Sequence, residues 1–182
     1  MDISSGWDLV VLGSGPGGEA AAMQAAKGGL RVAVIDRGDQ IGGNCTHWGT
    51  IPSKALRHQV RQVIRSQRNP LLRGLINPRQ VRWQDLIKRS GEVVDAQVQV
   101  RGDFYIRNRV KVFAGRGVIQ APDQVRVDDD AGRQWLLHTR NILIATGSRP
   151  YHPEDVDFDH PRVYDSDSIL RMDHTPRHII LY

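Results

Sequence analysis

One cysteine, Cys45, stands among 182 residues. Its solitude excludes an internal disulfide and an all-cysteine metal site, and it suits a reducing compartment. Apolar runs are short, and none reaches the length of about eighteen residues that a membrane-spanning helix needs. The opening Met1-Asp2-Ile3-Ser4-Ser5-Gly6-Trp7-Asp8 carries neither the basic nor the apolar stretch of a secretory leader. Aromatic residues make up only 6% of the chain and are not interleaved with the basic ones, so a stacking platform for single-stranded nucleic acid has little support. The net charge of +5 comes largely from scattered arginines, among them Arg57, Arg61, Arg65 and Arg68, which read as the solvated face of one helix. The expectation is a soluble cytoplasmic protein with a single core, without metal, nucleic-acid or membrane partner.

What is present is a strong βαβ pattern. Trp7 to Leu12 is a short apolar strand, glycines follow at once, and Glu19 to Lys27 is helix-prone. Leu30 to Asp36 reads as a second strand buried on both faces. A glycine-rich loop from Arg37 to Gly49 precedes Pro52, a residue compatible with a helix start, after which Leu56, Val60, Val63 and Ile64 recur at helical spacing and are expected to face inward. Residues 69–82 are turn-rich, and a second helix is predicted from about Gln84 to Arg107, weakened by Gly91 and Gly102. The pattern then changes to short β pieces at Val110 to Ala114, Gly117 to Gln120, Gln124 to Val127 and Gln134 to His138, expected as an antiparallel meander. Asn141 to Gly147 is another buried strand ending in small residues, and the remainder is loop-rich up to an apolar run from Ile179 to Tyr182.

Gly13-Ser14-Gly15-Pro16-Gly17-Gly18 satisfies G-x-G-x-x-G between a strand and a helix, the context this motif requires. Gly13 permits the sharp turn, Gly15 lets the backbone approach a diphosphate, and Gly18 lets the helix pack closely on the strand, while the helix start supplies amides and positive dipole. Asp36 closes the second strand eighteen positions after Gly18, where a carboxylate can accept from ribose hydroxyls. These features predict a dinucleotide site without distinguishing FAD from NAD.

The distinction comes from Gly42-Gly43-Asn44-Cys45-Thr46-His47-Trp48-Gly49-Thr50-Ile51-Pro52-Ser53-Lys54, which resembles the G-G-x-C-x-x-x-x-C-I-P-S-K segment of the flavoprotein disulfide reductases. Ala145-Thr146-Gly147 similarly resembles their second FAD motif. The resemblance implies a Rossmann-like α/β FAD-binding domain of the three-layer ββα type, with a parallel sheet plus an antiparallel meander, incomplete at its C-terminus. It also implies FAD contacts from Gly13, Gly15, Gly17, Gly18, Asp36, Arg37, Gly42, Gly43, Asn44, Cys45, Thr50, Lys54, Ala145, Thr146 and Gly147. The departure is Thr50, which stands where that family has the second redox cysteine. A hydroxyl cannot form the disulfide, so thiol–disulfide exchange on this route is closed, and Cys45 reads as a small packed thiol of the flavin loop.

With that exit closed, a second nicotinamide is the simplest acceptor for hydride that enters a flavin. The run from Cys45 to His58, together with Ala145-Thr146-Gly147-Ser148-Arg149-Pro150-Tyr151-His152-Pro153, resembles the soluble pyridine nucleotide transhydrogenases, members of the class I pyridine nucleotide-disulfide oxidoreductases. That resemblance implies Si-specific hydride transfer between NADPH and NAD+ through FAD, with Lys54 tuning the flavin and the whole protein forming a homo-oligomer. The alternatives are a relative without the redox disulfide that reduces quinones or dyes, and a truncated non-catalytic flavin-binding module. His47 and Trp48 either shape the flavin pocket or simply pack. Asp165 and Asp167 are expected in turns and caps. The expected domains are residues 1–150 for FAD and 151–182 as a connection into the first strand of an absent NAD(P)-binding domain. A chain of this extent is expected to be inactive and to hold FAD weakly.

Overall fold

The computed structural model describes residues 6–38, 40–75 and 77–182. The chain divides into two compact units, one formed by residues 1–46 and 97–148 and the other by residues 47–96 and 149–182.

The first unit is built on a four-stranded parallel sheet in the order β3-β2-β1-β7, with β1 at Leu9–Leu12, β2 at Val32–Asp36, β3 at Lys111–Ala114 and β7 at Ile142–Ile144. Parallel neighbours need crossover connections. Between β1 and β2 the crossover is helix α1, Pro16–Lys27, with proline in its first turn and Gly28 beyond its end. Register is fixed by pairs such as Val10 with Ala33 and with Ile142. An antiparallel sheet of β4, β5 and β6, at Arg116–Ala121, Gln124–Asp128 and Gln134–His138, accompanies it.

Alternation along the central strands sends their side chains to two different cores, as the period of two demands. Val10, Leu12, Ala33, Ile35 and Phe113 meet Val125, Val127 and Leu137 of the antiparallel sheet. Val11, Val32 and Val34 meet Ala22 of α1 together with Tyr105 and Val110. The result is antiparallel sheet, parallel sheet and helices in three layers, as the sequence predicts. One correction concerns the segment from Val110, which was expected in the meander. Lys111–Ala114 instead pairs parallel with β2, Val34 beside Val112 and Ile35 beside Phe113. A parallel partner is open to it because the long helical stretch between β2 and β3 serves as a crossover, and only three strands are left for the meander.

Helix α2, Gly43–His47, forms inside the segment expected as loop. Helix α3, Thr50–Arg68, belongs to the second unit. Helix α4, Trp83–Arg107, runs unbroken through Gly91 and Gly102, its first part in the second unit and its last in the first. Its end is closed by Val110 N–H donating to the Tyr105 carbonyl, with Arg109 in the left-handed region at φ 55°. Along α3 the buried residues are Pro52 and Ser66. Leu56 and Val63 are half-buried, but Val60 and Ile64, expected inward, are exposed. In the same unit Trp83 N–H donates to Thr175 Oγ1 at 2.9 Å, and Arg171 lies over the Trp48 ring. Asp165 acts as the turn residue the sequence suggested, accepting from the backbone amides of Asp167 and Ser168 at 3.0 and 2.6 Å. Residues 177–182 form no strand.

Candidate functional site: a dinucleotide turn at the ends of parallel strands

The loops that follow β1, β2 and β7 converge at the carboxyl ends of the parallel strands, where open α/β sheets bind ligands. Gly13 sits at φ 105°, and a Cβ there would stand 2.3 Å from the Ala145 carbonyl oxygen, so the turn after β1 touches the end of β7. A Cβ on Gly18 would stand 2.0 Å from the Gly13 carbonyl oxygen, which is the close helix–strand packing assigned to that position by sequence. Gly43, at φ 60°, would bring a Cβ within 2.7 Å of the Gly15 Cα, so the start of α2 lies against the same turn. Each approach leaves room only for hydrogen.

Asp36 ties these loops together. Its Oδ2 accepts from both the backbone amide of Ser14, at 2.7 Å, and the Ser14 hydroxyl, while its Oδ1 accepts from Gly38 N–H at 2.9 Å. The Ser14 oxygen in turn accepts from Gly42 N–H at 2.9 Å. Ser14 is fully buried. Sequence reasoning did not single it out, because the middle position of G-x-G has no signature before the loop from Ile41 to Cys45 is placed beside it.

The arrangement fits a dinucleotide diphosphate. Gly17 has no atom within 4 Å of where its Cβ would be, and the Gly15 end of α1 has no side-chain cap, so the positive helix end is open to an anion. Thr46 Oγ1 is buried without a hydrogen-bond partner in this same region. Of the residues named from sequence, Gly13, Gly15, Gly17, Gly18, Asp36, Arg37, Gly42, Gly43, Asn44, Cys45, Ala145, Thr146 and Gly147 lie in the first unit. Arg37, Thr146 and Gly147 are exposed and Cys45 is half-buried. Thr50 and Lys54 lie exposed on α3, in the second unit.

Among the described residues no group of three histidine, cysteine or carboxylate side chains could hold a metal. His174 and His178 are four residues apart, but Pro176 lies between them and the segment is irregular. No described helix is long and apolar enough to cross a membrane.

A glycine turn between strand and helix, its neighbouring Gly42-Gly43 loop and a three-layer domain agree with the sequence comparison: the chain belongs to the pyridine nucleotide-disulphide oxidoreductase family, whose pattern matches residues 7–182. It is 53% identical over 176 residues to the soluble pyridine nucleotide transhydrogenase of Pseudomonas putida strain GB-1, a match covering 97% of this chain and 38% of that protein. The corresponding protein of Marinomonas sp. strain MWYL1 is 48% identical with the same coverage. The chain therefore spans 38% of the length of these relatives. Among solved structures, the HOCl-induced flavoprotein disulfide reductase RclA from Escherichia coli, as its Cu(II) complex, superposes with a TM-score of 0.77 at 25% identity, over 93% of this chain and 35% of that one.

Proposed function

We propose that this chain is the FAD-binding amino-terminal part of a Si-specific NAD(P)+ transhydrogenase, an enzyme that passes hydride from NADPH to NAD+. The observation that carries the reading is the turn at Gly13 to Gly18, packed against Gly43 and Ala145 and open at Gly17, in a chain whose only cysteine is Cys45 and whose second redox position holds Thr50. When bound, the flavin supplies reversible hydride acceptance, and the protein supplies orientation and electrostatics. The amides at the start of α1 hold the diphosphate, and Asp36, held by Ser14 and Gly38, faces the ribose. Arg37, Gly42, Gly43, Asn44, Cys45, Thr50, Ala145, Thr146 and Gly147 complete the FAD contacts. Lys54 is assigned to the flavin ring, where a cation favours the anionic reduced state. The relatives' names as soluble transhydrogenases support this choice over quinone reduction. NADPH and NAD+ as substrates, assembly into a homo-oligomer, a cytoplasmic setting and a division into residues 1–150 for FAD and 151–182 as a connection belong to the same reading.

The test uses the longer protein that carries this chain, purified from cells and assayed for bound FAD and for hydride transfer from NADPH to thio-NAD+. One FAD per chain and steady transfer are expected. Rapid reduction of quinones with no transfer to thio-NAD+ would replace the transhydrogenase with a disulfide-free reductase, and a protein without flavin would end both readings.

A further inference from the structure

Glu19 is the acidic residue in the first turn of α1, the helix whose amino end meets the converging loops. A carboxylate there suits the helix dipole. It also opposes a diphosphate arriving at the same end, because like charges in a partly desolvated site are only weakly screened. Arg101 of α4 meets it: Nε stands 3.0 Å from Glu19 Oε2, and both side chains are only 19% exposed. The contact is an ion pair without an aligned hydrogen bond to that oxygen. Arg101 is itself held by Gln97, whose Oε1 accepts from Nη1 at 2.8 Å. One turn along α4, the buried Tyr105 hydroxyl has no hydrogen-bond partner. Burial first, then the charges of Glu19 and Asp36, push its phenol above the usual range. Two carboxylates thus act on one small region below the nucleotide turn, and the cation paired with Glu19 there is Arg101.

We propose that Arg101 is a positioning residue of the dinucleotide site, cancelling the charge of Glu19 so that the amino end of α1 presents a net positive end to the diphosphate. The inference rests on the dinucleotide reading above. It requires no contact between Arg101 and the ligand, and its signature is therefore a dependence on ligand charge.

The experiment measures dissociation constants of the full chain for ADP and for adenosine by titration calorimetry, in the wild type and in R101M, E19Q and E19Q/R101M, with a melting curve for each. R101M is expected to weaken ADP about tenfold and to leave adenosine within about twofold. E19Q binds ADP at least as tightly as the wild type, and the double variant returns to within about threefold of it. Should R101M fail to fold, R101K keeps the charge and is expected to bind ADP as the wild type does, while E19Q still must not weaken ADP. Equal losses for ADP and adenosine, or a double variant as weak as R101M, would show that the pair only fastens α4 to α1 and overturn the proposal. A wild-type chain that binds neither ADP nor adenosine would instead bring down the dinucleotide reading, and this inference with it.

Discussion

Replacing Gly13 with alanine tests the physical basis of the site directly. At φ 105° an L side chain is strained, and the added Cβ would stand 2.3 Å from the Ala145 carbonyl oxygen and 2.9 Å from its carbon, both backbone atoms. Backbone strain contributes about 1–3 kcal/mol, and forcing β7 away from β1 about 1–3 kcal/mol more. The combined cost of roughly 2–6 kcal/mol is a large part of the 5–15 kcal/mol that typically separates folded from unfolded chains. For a chain of this size each kcal/mol moves the melting temperature by about 2–4 °C, so a fall of roughly 5–20 °C is expected by circular dichroism. Gly17→Ala is the control: it lies in the first turn of α1 with nothing within 4 Å of the new methyl, so its stability should be unchanged or raised by up to about 1 kcal/mol of helix propensity, a rise in melting temperature of at most about 4 °C. A Gly13→Ala protein that melts with the wild type, or a Gly17→Ala protein that melts as low as Gly13→Ala, would refute the close-approach argument.

Ser14→Ala removes the hydroxyl that bonds Asp36 and accepts from the buried Gly42 amide; it should cost about 1–3 kcal/mol in urea unfolding and speed exchange of the Gly42 amide. At Asp165, burial raises the carboxyl pKa, but hydrogen bonds from Ser168, His152 and Asp167 outweigh it and hold the group well below the usual carboxylate range. A depressed folded-state pKa gives stability that is present above the unfolded value near 4 and lost as pH falls toward the folded one. Asp165→Asn should therefore lower the urea midpoint at pH 7, with the gap to the wild type narrowing only as the pH falls below about 4, and a gap of the same size at pH 7 and at about pH 2 would remove the carboxylate's role. Tyr105→Phe deletes a buried hydroxyl without a partner, so stability should be unchanged or raised by up to about 1 kcal/mol, read as a melting temperature unchanged or up to about 4 °C higher; a marked loss would mean that the hydroxyl has an acceptor.

Local pattern was enough for the elements whose signals are short-range. Strand, glycine turn and helix from Leu9 to Lys27 follow from an apolar run, positions that tolerate only hydrogen, and a proline in the first helical turn. The same holds for the second strand, ending at Asp36, and for the turn at Asp165. These are decided within a few residues, and the chemistry of G-x-G-x-x-G resides in the backbone it dictates. Tertiary structure decided the rest. Whether Lys111–Ala114 joins the meander or lies parallel beside β2 depends on a crossover of more than seventy residues, a choice no local window contains. The clasp of Ser14, Asp36 and Gly42 and the pairing of Glu19 with Arg101 join residues 22 to 82 positions apart. Their side chains carry no periodic signal of their own, so their partnership exists only once the loops and helices are brought together by burying Val11, Val32 and Val34 against α1 and α4.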